Sequence, residues 1–177
     1  MPPSPFDPKD AIRFDMNEGS VHSSAGTKMV VLSAQSVGAL IAATGSQGGI
    51  GILRNLGDTV GAEALASLGR STEGLAFTEV LEHIGGWLRL AGWGKLRAEV
   101  WGDAIVLEFT SKTVNARAAE RLLEGLFTRV CGRSVSCVQG EGNRFILVNP
   151  EVEAGVRERL ASGMRLGAVV GELELQP

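Results

Sequence analysis

The chain is 177 residues long, enough for one domain with a proper core and short for two. Hydrophobic residues make up 44% and charged residues 21%, which excludes an intrinsically disordered chain. Seventeen Lys and Arg against 20 Asp and Glu leave a formal charge of −3, so nothing draws the whole protein to phosphate backbones or an anionic bilayer. Two cysteines and two histidines exclude a disulfide scaffold and argue against a four-ligand zinc site.

Four of the six prolines fall in the first ten residues, so 1–10 reads as a disordered Pro-rich arm. A single domain is expected over 11–163, followed by an apolar C-terminal tail over 164–177. There is no apolar stretch for a secretory signal. The run 37–43 is far below the roughly 20 residues that cross a bilayer. The reading is therefore a cytoplasmic protein without membrane insertion, with Cys131 and Cys137 as reduced, ordinary buried residues.

Ile12, Phe14 and Met16 alternate with Arg13, Asp15 and Asn17, which predicts a strand, and 29–32 predicts a second. The Gly- and Ser-rich stretch 18–28 between them reads as a loose hairpin tip holding a solvated His22. From Ser33 the period changes. Ser33 or Ser36 caps a helix carrying Val37, Leu40 and Ile41, which ends before Gly45. The glycine-rich 44–49 lacks GxxxxGK[ST] and no strand precedes it, so it reads as a helix-to-helix connection and not a phosphate loop.

The next helix is predicted over 49–68. Ile50, Leu53, Gly57, Val60, Gly61, Ala64 and Leu68 share one stripe, and Ile52, Leu56 and Leu65 lie opposite. Glycines in a helix interior cost about 1 kcal/mol each relative to alanine. Two of them four apart on an apolar stripe point to a close approach by another element. Such a helix is either central to one core or shared with a second subunit. The second alternative assigns Leu53, Gly57, Val60, Gly61 and Ala64 to a dimer interface.

A turn over 70–74 leads to a helix from Phe77, with Val80, Leu81, Ile84, Leu88 and Ala91 on its apolar stripe, Trp87 beside it and His83 at the surface. Period two then takes over: 96–101 and 105–109 form a hairpin across Gly102-Asp103, a pair suited to a type II′ turn. A helix over 115–130 follows, capped by Thr113 or Asn115. Leu122, Leu126 and Phe127 lie on its buried side, and Arg117, Glu120, Arg121 and Glu124 on a solvated face. A second hairpin, 134–138 with 145–148, closes the domain. Beyond it, 151–160 reads as a helix and 166–175 as a short strand. Strands that arrive as hairpins predict an α+β fold: an antiparallel sheet with a helical layer on one face.

The segment 52–61, with Leu56-Gly57 followed by Gly61, resembles the long helix of 4-vinyl-reductase-type domains. The stretch 118–148 is similar to that family's final helix and hairpin, with Gly125, Gly132 and Phe145 at matching places. The resemblance spans about 27–149. Those domains share a fold with small subunits of the TRAPP tethering complex. The likeness implies a homodimer or heterodimer packed through helices and an enclosed apolar pocket for a small hydrophobic molecule. Many members carry an acidic residue and two cysteines around the last hairpin. Here the distance from Gly132 to Phe145 is too short for that pattern and Cys137 has no companion, so no metal site and no catalytic residue carries over.

No GxSxG, HExxH, dinucleotide fingerprint or Cys–His pair is present, and Asp103 and Glu108 read as surface acids. No basic face alternates with aromatics, which speaks against nucleic acid. No catalytic residue, cofactor or metal is expected. Two functions remain. One is a dimeric, non-enzymatic module that binds a small hydrophobic molecule, with Leu56, Ile84, Trp87, Leu107, Leu126 and Phe127 as the pocket wall or, failing a cavity, as plain core. The other is a dimeric scaffold that recruits a protein partner through the Pro-rich arm or the C-terminal tail.

Overall fold

In chain order the elements are α1 (Pro8–Ala11), β1 (Ile12–Asp15), β2 (Ser20–Ser23), β3 (Lys28–Met29), α2 (Ala34–Ala43), α3 (Gly45–Ser67) and α4 (Phe77–Leu90). The hairpin β4 (Lys95–Trp101) and β5 (Ala104–Thr110) follows, then α5 (Ala116–Cys131), β6 (Ser136–Gln139), β7 (Arg144–Val148), α6 (Glu153–Ala161) and α7 (Leu166–Glu174). This computed structural model describes residues 6–43, 45–69, 74–102 and 104–174, with backbone alone at 45–47 and 174.

The fold is α+β with antiparallel sheets. The larger sheet has the order β4-β5-β7-β6, every neighbouring pair antiparallel. Its first hairpin forms where period two predicts it. Trp101 pairs with Ala104, and Gly102 takes a φ of 57° at the turn, a conformation glycine adopts without a Cβ penalty. Asp103 lies outside the described residues. Asn115 caps α5 by accepting from the Ala118 amide at 2.9 Å, and Gly132 ends that helix in the left-handed region.

Side-chain alternation divides the sheet into two apolar faces. Leu96, Leu107, Phe109, Cys137 and Phe145 point into the main core with α3, α4 and α5. Val106, Val138, Ile146 and Val148 point the other way and are covered by Val156 of α6 and by Leu166, Val169 and Val170 of α7. The expected single helical layer is α3 to α5; α6 and α7 add a smaller one on the opposite face. Residues 166–174, expected as a strand in an apolar tail, are this covering helix. A strand could not have placed Leu166, Val169 and Val170 on one side, because their spacing is helical.

The N-terminal region also departs from expectation. β2 lies within the supposed hairpin tip and makes a three-stranded sheet, β1-β2-β3, in which His22 pairs with Arg13 and Lys28. The serine that the composition assigned to a loop is usable in a strand, and Ser20 and Ser23 are both buried. The disordered arm was expected to reach residue 10. Residues 1–5 lie outside the described residues, but Phe6 is seated against α4 and Asp7 caps α1 through the Lys9 amide at 2.9 Å.

The two glycines on the stripe of α3 meet α5 of the same chain. A Cβ at Gly57 would collide with the carbonyl oxygen of Leu122, and one at Gly61 would lie 2.9 Å from that of Leu126. Gly125 answers from the other side, where a Cβ would strike the Arg54 carbonyl. Ion pairs flank this seam: Arg129 binds Asp58 with two bonds of 2.9 and 2.8 Å, and Arg54 lies 3.5 Å from Glu124. Leu53 and Ala64 are buried and Val60 is half-buried within the single chain. The face assigned to an interface between copies is therefore filled by α5.

Candidate functional site

All six residues expected around a pocket enter the main core. Ile84, Trp87, Leu107, Leu126 and Phe127 are at most 2% exposed, and Leu56 packs against them half-buried. α4 supplies Ile84 and Trp87, the sheet supplies Leu107, and α5 supplies Leu126 and Phe127. Their convergence follows from the apolar stripes and the inward phase of β5. A cleft of about 160 Å³ lies elsewhere, between the end of β5 and the start of α5, with Phe109, Ser111, Val114 and Asn143 in its wall. Its polar groups already serve the fold: Asn143 donates to Thr110 Oγ1 at 2.8 Å and to Glu108 Oε1 at 3.2 Å. None of the six lines it.

One of the six carries a polar handle. Trp87 Nε1 donates to Ser67 Oγ at 2.6 Å, and His83 Nε2 approaches the same oxygen at 2.6 Å. The Ser67 hydroxyl donates to the Ala64 carbonyl at 2.9 Å, so His83 Nε2 is the donor to Ser67 in that arrangement. Ser67 belongs to the last turn of α3, His83 and Trp87 to successive turns of α4. Burial lowers the pKa of His83 from its ordinary 6.5, and the nearby Ala64 carbonyl opposes that only partly. Burial thus favours the neutral imidazole. His83 was expected at the surface because it leaves the apolar stripe. The end of α3 and the ring of Phe6 cover it, and neither follows from the period of α4.

Phe6 completes the cluster. Its ring stands edge-on to His83, centroids 5.3 Å apart at 76°, and to Trp87 at 6.2 Å and 63°. Gly86 is the floor beneath it, since a Cβ there would collide with the ring. Ser67 and Phe6 were not singled out by sequence, and His83 was placed at the surface. The available signal was Gly85-Gly86 inside an otherwise regular helix, which marks a close approach.

No family model matches the chain, and no curated protein matches it. Among solved structures, the phenol-responsive sensory domain of the transcription activator PoxR, determined with phenol, has a TM-score of 0.64 over 85% of this chain and 90% of that one. Fifteen per cent of aligned residues are identical. The two chains share a fold.

A second polar group lies behind the sheet. Arg157 of α6 donates to Glu120 of α5 at 3.0 Å and to Glu153 at 2.8 Å, and Ser136 donates to Glu153 at 2.6 Å. Burial pushes the Glu153 carboxyl up, but Ser136 and Arg157 together hold it below its ordinary value. Glu120, expected on a solvated face, is buried by this contact. Burial, with Glu120 and Glu124 adding to it, raises the Cys137 thiol well above its usual range, so it is no nucleophile. Among the described residues, no three of His, Cys, Asp and Glu gather as metal ligands, and no helix is long and apolar enough to cross a membrane.

Proposed function

We propose that the chain is a non-enzymatic sensing module that binds a small hydrophobic molecule at the end of its core, around Trp87. The observation that carries this is the Trp87–Ser67–His83 cluster. It is a half-buried set of hydrogen-bonding groups beside aromatic rings, on a fold shared with a sensory domain that was solved with phenol. Ser67 and His83 have the separation of a nucleophile and its base. The Ser67 oxygen, however, already has Trp87, His83 and Ala64 as partners, which leaves it nothing for attack. Binding, not turnover, suits such a site.

The test is thermal melting of the wild type with a panel of small apolar molecules that includes phenol. A ligand at 100 times its Kd stabilises by about 2.7 kcal/mol and raises the melting temperature. Trp87→Phe should keep the fold while altering that affinity. A panel in which no molecule moves the wild-type transition overturns the reading.

A separate observation supports the dimeric part. No charged residue occurs from 29 to 53. Within that stretch α2 buries none of its residues, and Val30, Val31, Leu32 and Leu40 are each more than half exposed. An uncharged apolar strip of this kind is self-complementary, which a symmetric contact between two copies requires. The interface is thus proposed on α2 and its approach, away from the α3–α5 seam. Sedimentation at micromolar concentration decides it: a monomer there removes the dimer. A scaffold without ligand remains the competing function, and the melting panel separates the two.

A further inference from the structure

We infer that Phe6 is a built-in occupant of the ligand site, a removable plug in a slot that takes a single aromatic ring. The inference rests on the binding reading above and adds how that site is regulated and what shape of molecule it accepts. The slot consists of the His83 and Trp87 rings as walls and the bare backbone of Gly86 as floor. It fits a benzene-sized ring because it holds one already. Edge-to-face contact at both walls selects an aromatic over a saturated ring. Nε2 of the His83 wall already donates to Ser67, so the other nitrogen of that imidazole is the one left to accept from a hydroxyl on the ring. The occupant class is therefore a small monocyclic aromatic with one hydroxyl.

The segment that delivers Phe6 is lightly tied. α1 is four residues long, and its bonds from Asp7 to the Lys9 and Asp10 amides are local. The bond from the Ser24 amide to the Ala11 carbonyl and the burial of Ala11 in the main core anchor its far end, and Phe6 lies beyond the other. Release of the ring thus breaks the aromatic contacts and little else. A site filled by its own chain most of the time binds outside ligand more weakly in proportion to the fraction open. A ligand that expels Phe6 also frees the N-terminal segment, which turns occupancy into a change at the surface.

The experiment is titration of the 177-residue wild type, Phe6→Ala and Phe6→Leu with phenol and with toluene, followed by calorimetry or tryptophan fluorescence. Phe6→Ala should bind phenol about tenfold tighter or more, with Phe6→Leu between it and the wild type. Equal or weaker affinity in Phe6→Ala overturns the plug and leaves the binding reading standing. No binding of either probe by any of the three overturns both. If Phe6→Ala does not fold, hydrogen exchange of the wild type decides. Saturating phenol should strip protection from the amides of Lys9 and Asp10, which bond to Asp7 beside Phe6, and unchanged or greater protection there refutes the plug.

Discussion

α2 and α3 follow one another in the chain and have similar composition, small and aliphatic with no charge before Arg54. Their fates differ. α3 is closed by α5, glycine against backbone on both sides, with the Asp58–Arg129 and Arg54–Glu124 pairs along its border. α2 touches α3 on one side and presents Leu40, 54% exposed, on the other. An apolar stripe thus announces that something covers it, without saying what. The charges bordering α3 have partners within the chain, whereas α2 has none to specify one.

Substitutions can press on that contrast. The largest effect is expected at the closed side, where Trp87→Ala removes the largest fully buried side chain and one of the three partners of the Ser67 hydroxyl. A loss of about 3–5 kcal/mol should appear in urea unfolding. Gly57→Val comes next, at about 3 kcal/mol, because the added carbons meet the Leu122 backbone, which cannot step aside. If α3 faced a second copy, Gly61→Leu would make the melting temperature depend more steeply on protein concentration. With α5 in that place, the loss should be independent of concentration.

On the open side Leu40→Ser should change the stability of the single chain by less than about 0.5 kcal/mol, as surface substitutions do. The same change should shift sedimentation from dimer to monomer. Retention of the dimer in Leu40→Ser would move the interface off α2.

The smallest effect concerns pH. His83 is held neutral in the folded chain, so below about pH 6.5 the unfolded chain takes up a proton that the folded one refuses. Its contribution is complete above that value and declines as the pH falls toward the folded pKa. Comparing urea midpoints at about pH 7.5 and about pH 5.5 should show a smaller drop in His83→Gln than in the wild type. His22 is common to both proteins and cancels in that difference. Equal drops would place the imidazole in solvent after all.

Much of the architecture was legible because local rules agreed. Gly102 sits between two alternating runs, Asn115 precedes a helical stripe, and Gly132 follows it. The second apolar face of the sheet was also written in the chain. Phe145-Ile146-Leu147-Val148 is apolar in both phases of a strand, a pattern that demands cover on both sides. Period two alone names the inward residues and passes over their neighbours. β2 stayed hidden because serine and glycine weigh against strand, and only pairing with β1 and β3 overrides that. The six residues assigned to a pocket wall reach the main core through helix stripes and strand phase. Ser67, His83 and Phe6 come from three segments whose meeting depends on tertiary packing, which no periodicity encodes.

The Glu120–Arg157 contact has a consequence for how the sheet ends. Among the described residues β6 is an edge, with β7 on one flank and no strand on the other. The outward amide of Gln139 donates to Glu120 Oε1 at 2.7 Å, and the outward carbonyl of Cys137 accepts from Arg157 at 3.4 Å. Two side chains thereby take two of the bonds that an incoming strand would need. A naked edge is a template for further strands, and aggregation begins there. Here the template is blocked by an ion pair reaching from α5 and α6, so β6 cannot recruit another chain while α6 is docked. Undocking α6 would free the Cys137 carbonyl of that edge and expose the apolar face behind it. The C-terminal helices therefore guard solubility as well as the second core.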